Sequence, residues 1–129
     1  MNEFRLSKNE MEIMSLFWQE GRPLSKSEII ELSSDRSWKA SSVYVLLNSL
    51  LKKGAIREAG FVKSQTNIGR TFEAMLDENE YVIMQINSDI KERNLSIVDL
   101  MAGLINQETD KTVVEKLEKV IQEKLKSTK

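Results

Sequence analysis

The side chains best suited to chemistry lie in the middle of the chain and have the types expected of a surface that binds a polyanion. Residues 38–56 read WKASSVYVLLNSLLKKGAI. Apolar residues recur there at the i, i+3, i+4, i+7 spacing of one buried helix face: Val43, Leu46, Leu47, Leu50 and Leu51. The opposite face then carries small, hydrogen-bonding or positively charged side chains together with one valine: Ser41, Tyr44, Val45, Asn48 and Lys52. This segment contains no acid, so we predict a helix that lies against phosphates.

The charge distribution favours the same interpretation. The whole chain has a net charge of −1, but residues 36–70 contain seven bases and a single acid, Glu58, which gives a local charge of +6. Clustered positive charge is typical of proteins that bind a polyanion. The alternative is a solvated basic surface without a partner. The seven bases are Arg36, Lys39, Lys52, Lys53, Arg57, Lys63 and Arg70.

The composition argues against several other kinds of chemistry. The sequence has no Cys and no His, so it has no disulfide, no Cys/His metal site and no thiol nucleophile. Neither a GxxxxGK[ST] nor a GxGxxG phosphate loop is present. We therefore predict that the protein is not an enzyme and needs no cofactor or metal. Without an apolar run of ~18 residues or a signal pattern, we expect a cytoplasmic protein that does not contact the membrane.

Capping boxes mark the elements that must position the central helix. Ser7 and Ser25 are each followed three residues later by Glu, a pattern that predicts the start of a helix. The first helix should end near Gly21, and residues 22–24 indicate a brief extended segment. A polar turn at residues 33–37 then separates the second helix from the central one. This is the order of a helix-turn-helix.

A hairpin is predicted after Gly54, which should end the central helix. Residues 55–62 and 70–76 have the spacing of strands and flank a polar loop at residues 63–69. Such a basic hairpin would form a wing beside the helix. We therefore predict a mainly α fold with a small β-wing, in which residues 1–76 form a winged helix-turn-helix DNA-binding domain.

Residues 77–129 are predicted to form a helical dimerisation region. A third capping box at Asp77 opens the first of three helices, at residues 78–93, 96–106 and 110–126. These 53 residues are too few to enclose their own apolar stripes, so pairing with a second copy is the simplest solution. The alternative is packing against the front half of the same chain. The apolar positions predicted for dimerisation are Ile97, Leu100, Met101, Leu104, Val113, Leu117, Val120 and Ile121.

These segments together resemble the BlaI/MecI/CopY family of penicillinase-type repressors. The likeness rests on WKASSVYVLLNSLLKKGAI, on GRTFEAML with the helix after it, and on SKNEMEIMSLFW in the first helix. The family pattern has a Trp, a helix of T-[VI]-x-x-L-[LI]-x-R-L-x-K-K-G form, a wing closing with G-R-x-[YF]-x-Y, and a helical dimerisation region. The resemblance spans essentially the whole chain and is strongest over residues 7–76.

The resemblance implies a repressor that binds a palindromic operator in double-stranded DNA as a homodimer, and that an inducing signal releases by disrupting the dimer. By position, it places Ser41, Ser42, Tyr44 and Val45 in the major groove and Arg70 at the base of the wing. Asn48 joins the side chains that we expect at base edges. Phosphate contacts are then expected from Lys39, Lys52, Lys53, Lys63 and Arg70.

The sequence departs from the family pattern at positions that concern mechanism. Ser49 replaces a common Arg, and Tyr44 stands where some members carry a long basic residue, so the base preference does not transfer. The copper-responsive branch carries a C-terminal Cys cluster, and the lack of Cys excludes that branch. In the β-lactam-responsive branch a membrane sensor protease triggers cleavage of an Asn-Phe bond. The aligned pair here is Leu100-Met101, so a sensor protease is an implied partner whose usual bond is absent.

Two other classes of function remain as alternatives. A winged-helix protein–protein module would use an exposed apolar groove and would not retard DNA. A small enzyme would need convergent carboxylates, which the predicted wing loop lacks.

Overall fold

The computed structural model describes residues 3–63 and 68–128. This part of the chain contains six α-helices and a small three-stranded sheet, which confirms the predicted mainly α fold with a β-wing. The elements are α1 (Lys8–Glu20), β1 (Leu24–Ser25), α2 (Lys26–Leu32), a 3₁₀ turn (Ala40–Ser42), α3 (Val43–Lys53), β2 (Ile56–Lys63), β3 (Ile68–Ala74), α4 (Glu78–Arg93), α5 (Ile97–Gln107) and α6 (Lys111–Ser127).

Local capping explains where the helices begin and end. The hydroxyl of Ser7 accepts from the Glu10 amide at 3.2 Å, and the Glu10 carboxylate accepts from the Ser7 amide at 2.7 Å. The same reciprocal pair starts α2 at Ser25 and α4 at Asp77, so all three predicted capping boxes are confirmed. At the other end of α3, Gly54 has a left-handed φ of 82°, as expected of a residue that stops a helix.

The sheet places the wing beside the helices. Strands β2 and β3 form the predicted antiparallel hairpin, with a register shift between Glu58 and Gly60. The short strand β1 pairs with the other edge of β3, where Leu24 lies opposite Phe72, so the strand order is β1-β3-β2. The sequence indicated only an extended segment near β1. Most of the predicted wing loop, residues 64–67, lies outside the described residues.

The chain divides into two compact units, residues 1–88 and 89–129. The core of the first unit is built mainly from α1 and α3, with contributions from α2, from the sheet, from Trp38 and from α4. Its buried apolar side chains are Ile13, Met14, Phe17, Leu24, Ile29, Trp38, Val43, Leu47, Leu50, Ala55, Ile56, Phe72, Leu76 and Tyr81.

The first two turns of α4 complete this core. The hydroxyl of Tyr81 accepts a hydrogen bond from the Leu6 amide at 3.1 Å, and its ring lies 6.2 Å from Phe4 and 6.0 Å from Trp18. The Trp18 indole donates to the Leu76 carbonyl at 3.0 Å. The compact unit therefore ends inside α4, whereas the sequence predicts that the DNA-binding domain ends at residue 76 and the dimerisation region begins at residue 77. That functional division stays a prediction.

The second unit has no buried core of its own within residues 89–128. Its two complete helices are α5 and α6, whose N-caps are the side chains of Ser96 and Asp110. Every described side chain of these two helices is at least partly exposed, including the apolar set predicted for dimerisation. The three rear helices begin and end within one residue of the predicted positions.

Candidate nucleic-acid interface

The chain enters α3 through a tighter turn than the sequence predicted. Residues 38–42 precede the α-helix, and the Ser42 amide donates to the Lys39 carbonyl at 2.8 Å in a 3₁₀ turn. Ser41 and Ser42 therefore belong to this turn and not to the α-helix. Trp38 is only 5 % exposed and is part of the core.

The predicted division of α3 into a buried and an exposed face is confirmed. Val43, Leu47 and Leu50 are buried against the rest of the first unit. On the other side Tyr44 is 50 % and Val45 is 70 % exposed, and Asn48 and Lys52 are exposed beside them. Ser41 is exposed and Ser42 is half-buried. The structure thus brings most of the predicted base-contacting side chains to one surface, which contains no carboxylate from α3.

Lys53 lies elsewhere. Its ammonium is 2.6 Å from a carboxylate oxygen of Glu10 and also donates to the Arg5 carbonyl at 2.8 Å. Ser49 faces the same way, because its hydroxyl donates to Glu10 at 2.6 Å. The departure of Ser49 from the family pattern therefore affects the contact with α1 and not the exposed face. The expectation that Lys53 contacts phosphate is not supported by its geometry.

The Glu10 carboxylate is held in its charged form. Burial of this side chain, which is 2 % exposed, opposes ionisation and by itself raises the pKa. Hydrogen bonds from Lys53, Ser49 and the Ser7 amide outweigh burial and lower the pKa from 4.5 to about 2. Glu10 therefore carries a negative charge that links α1 to the last turn of α3.

Ion pairs also occupy the two arginines of the wing. Arg57 lies 2.7 Å from Glu73 on the opposite strand, and Arg70 pairs with Glu58. The guanidinium of Arg70 also lies 5.5 Å from the centre of the Phe72 ring. The sequence placed Arg70 at the wing, and the structure agrees, but its charge is shared with a carboxylate.

The free positive charge is therefore smaller than the count along the sequence suggested. Arg36 donates to the carbonyls of Ile30 and Ser33 at the end of α2 and lies over the ring of Trp38. Among the described residues, Lys39 and Lys52 are exposed and form no ion pair. Lys63 lies in β2, but its side chain is outside the described set.

The structure brings to this surface a residue that no sequence pattern indicates. The ammonium of Lys26, the first residue of α2, lies 4.2 Å from the centre of the Tyr44 ring. A contact of this kind depends on the crossing of two helices, so the local pattern of α2 gives no signal for it. Lys26 thereby joins the exposed face of α3.

The described helices include none with the length and hydropathy needed to cross a membrane.

Comparison with curated proteins gave no match. Among solved structures, the ferric uptake regulator from Francisella tularensis with iron is 20 % identical, and the match covers 57 % of this chain and 57 % of that one, with a TM-score of 0.43. The adhesin competence repressor from Streptococcus pyogenes is 16 % identical over 94 % of this chain and 81 % of that one, with a TM-score of 0.42.

Comparison with models of protein families gives a match over almost the whole sequence. The sequence model described as penicillinase repressor matches residues 6–123. This range contains α1 to α5, the three described strands and most of α6. It therefore takes in both the exposed face of α3 and the rear helices. The chain belongs to the penicillinase repressor family of transcriptional regulators.

Proposed function

We propose that this protein is a repressor that binds a palindromic operator in double-stranded DNA as a homodimer. The observation that carries the proposal is the exposed, acid-free face of α3. Tyr44, Asn48 and Lys52 follow one another at four-residue intervals on that face. Asn48 has the amide that pairs bidentately with adenine, while Val45 and the Tyr44 ring suit the methyl group of thymine.

Phosphate contacts supply affinity that does not depend on sequence. We assign them to Lys39 and Lys52, which are exposed and have no ion pair within the described residues, and to Lys63 by its place in the wing. Arg70 remains a proposed contact at the base of the wing, where it shares its charge with Glu58. We leave Lys53 out because Glu10 and the Arg5 carbonyl already bind its ammonium.

The apolar surface of α5 and α6 supports the proposed homodimer. Ile97, Leu104 and Val120 are each more than half exposed, and the second unit buries no side chain of these helices. A second copy would remove this surface from water at a gain of about 25 cal/mol for each Å². We propose that residues 77–129 provide this contact through Ile97, Leu100, Met101, Leu104, Val113, Leu117, Val120 and Ile121.

Dimerisation then controls occupancy of the operator. Two linked DNA-binding units act at a high effective concentration, and their separation selects half-sites about one helical turn apart or a multiple of it. A signal that separates the protomers therefore releases the DNA. If a sensor protease supplies this signal at Leu100-Met101, it must first unfold part of α5, which contains both residues.

Selection of binding sites from random duplexes tests the proposal directly. Purified full-length protein should enrich an inverted repeat, and affinity for that duplex should fall steeply between low and moderate salt. Asn48→Ala should relax the sequence preference, whereas Asn87→Ala, at an exposed asparagine of α4, should not. If no sequence is enriched and no duplex is retarded, the proposal is wrong and the protein–protein module becomes the better interpretation.

A further inference from the structure

We infer that Lys26 is a DNA-contacting residue that acts together with Tyr44, binding a backbone phosphate and holding the tyrosine ring in its reading position. The inference rests on the proposed function of α3 and assigns a role to a second helix, α2. It concerns a pair of side chains that meet across two elements and that no motif in the sequence connects.

The geometry shows a lysine whose charge is not neutralised by a carboxylate. The ammonium of Lys26 lies 4.2 Å from the centre of the Tyr44 ring, well within the range of a cation–π contact. Among the described residues Lys26 forms no ion pair. The nearby Glu28 is already bound by Arg22 at 2.7 Å and by the capping contacts of Ser25. A phosphate therefore meets this ammonium without having to displace an acid.

The pair lies at one end of the exposed face of α3. Tyr44 and Lys52 are eight residues apart on that face, which places them about 12 Å apart along the helix axis. Lys26 at the Tyr44 end and Lys52 at the other end therefore place an ammonium near each end of the face, with Asn48 between them.

The contact also limits the freedom of a side chain that must read bases. Tyr44 is half exposed and projects from the surface, where an aromatic ring without a neighbour samples several rotamers. An ammonium against one ring face favours the rotamers that keep that face covered. The ring is then partly ordered before DNA arrives, so less conformational entropy is lost on binding.

Affinity measured against salt concentration tests the phosphate contact. With full-length protein and the duplex enriched by selection, Lys26→Gln should reduce the slope of log affinity against log salt by ~0.9, the value for one lost phosphate contact. Lys26→Arg should restore the slope. The matched control is Lys8→Gln, at an exposed lysine at the start of α1 that forms no hydrogen bond or ion pair with α3 among the described residues, and it should leave the slope unchanged.

A double-mutant cycle tests the coupling to Tyr44. Lys26→Gln should lower the ratio of affinities for the selected and a scrambled duplex, and it should have no further effect on that ratio in a Tyr44→Leu background. Thermal unfolding of each variant checks that the fold is retained.

The outcomes separate this inference from the function on which it rests. If Lys26→Gln binds with the wild-type slope, or changes the slope but not the ratio, the joint role of Lys26 and Tyr44 is refuted while DNA binding stands. If the wild-type protein enriches no duplex, the proposed function itself fails and the inference fails with it.

Discussion

The ammonium of Lys53 lies 2.6 Å from a carboxylate oxygen of Glu10, so the last turn of α3 is joined to the first turn of α1. The same carboxylate accepts hydrogen bonds from the hydroxyl of Ser49 and from the backbone amide of Ser7, the N-cap residue of α1. One buried acid thus completes a capping box and also fixes the position of the helix that we propose reads DNA.

Stability should depend on pH through Glu10. Its pKa is lowered to about 2 in the folded protein, so folding favours the ionised form. The stabilisation is complete above the unfolded pKa near 4.5 and is lost as pH falls toward 2, and a shift of this size corresponds to about 3 kcal/mol. Urea unfolding of wild type and Glu10→Gln between pH 7 and pH 2.5 measures this contribution to the free energy of unfolding.

The Glu10→Gln variant should be less stable than wild type at pH 7, and the difference should shrink as the pH falls. Glu31→Gln, at an exposed glutamate of α2, is the matched control and should follow the wild-type curve. A difference between wild type and Glu10→Gln that stays constant over the whole range would show that ionisation of Glu10 does not stabilise the fold.

Removing the hydroxyl of Tyr81 should weaken the attachment of α4 to the first unit. Tyr81→Phe keeps the ring contacts with Phe4 and Trp18 but leaves the Leu6 amide without its acceptor. We expect a loss of about 1 kcal/mol in the free energy of unfolding, the usual value for one part-buried hydrogen bond. Tyr44→Phe is the control in the same urea titration, because its hydroxyl forms no hydrogen bond among the described residues, and equal stability of the two variants would count against the contact.

The position of a truncation should decide whether the front unit folds. A chain ending at residue 88 keeps Tyr81 and should unfold cooperatively, whereas one ending at residue 76 loses a buried aromatic ring, which costs about 3–5 kcal/mol. Circular dichroism during thermal unfolding compares the two. Equal midpoints would mean that α4 contributes nothing to the first core.

The longer fragment should also be monomeric and bind DNA weakly if the rear helices join the protomers.

A charge on the apolar face of α6 should separate the proposed dimer without unfolding the protomer. Val120 is 61 % exposed, so Val120→Glu leaves the packing of the single chain unchanged. A carboxylate buried between two copies costs several kcal/mol. Sedimentation velocity should therefore show a monomer for this variant and a dimer for wild type. Lys119→Glu changes the charge at a neighbouring exposed position and should remain dimeric; a dimeric Val120→Glu would exclude this face from the interface.

Helix boundaries were predictable because their signals are local. Ser7 and Glu10 are three residues apart, and each side chain accepts a hydrogen bond from the other's backbone amide whatever the fold of the rest of the chain. Apolar residues spaced along α3 likewise define its buried face without reference to any other element. The hairpin follows from strand-like spacing on either side of a polar loop, although its pairing with β1 does not.

Contacts between distant residues were not predictable from these patterns. Lys53 looks like a typical phosphate-binding lysine at the end of a basic helix, and only the fold brings Glu10, 43 residues earlier, against its ammonium. Glu73 and Glu58 reduce the charge of the wing in the same way. Conversely, Lys26 lies in a capping box that gives no sign of DNA binding, and only the crossing of α2 and α3 brings its ammonium over the ring of Tyr44.

The hydrogen bond from Leu6 to Tyr81 also bears on synthesis at the ribosome. Its two ends are 75 residues apart, and the strand pair of Leu24 with Phe72 also joins residues that are far apart in the sequence. The segment around Leu6 therefore cannot form its final contacts until α4 has been synthesised, because contacts between residues far apart in the sequence form late. Cotranslational folding of the front unit should consequently finish only after residue 88 has left the exit tunnel.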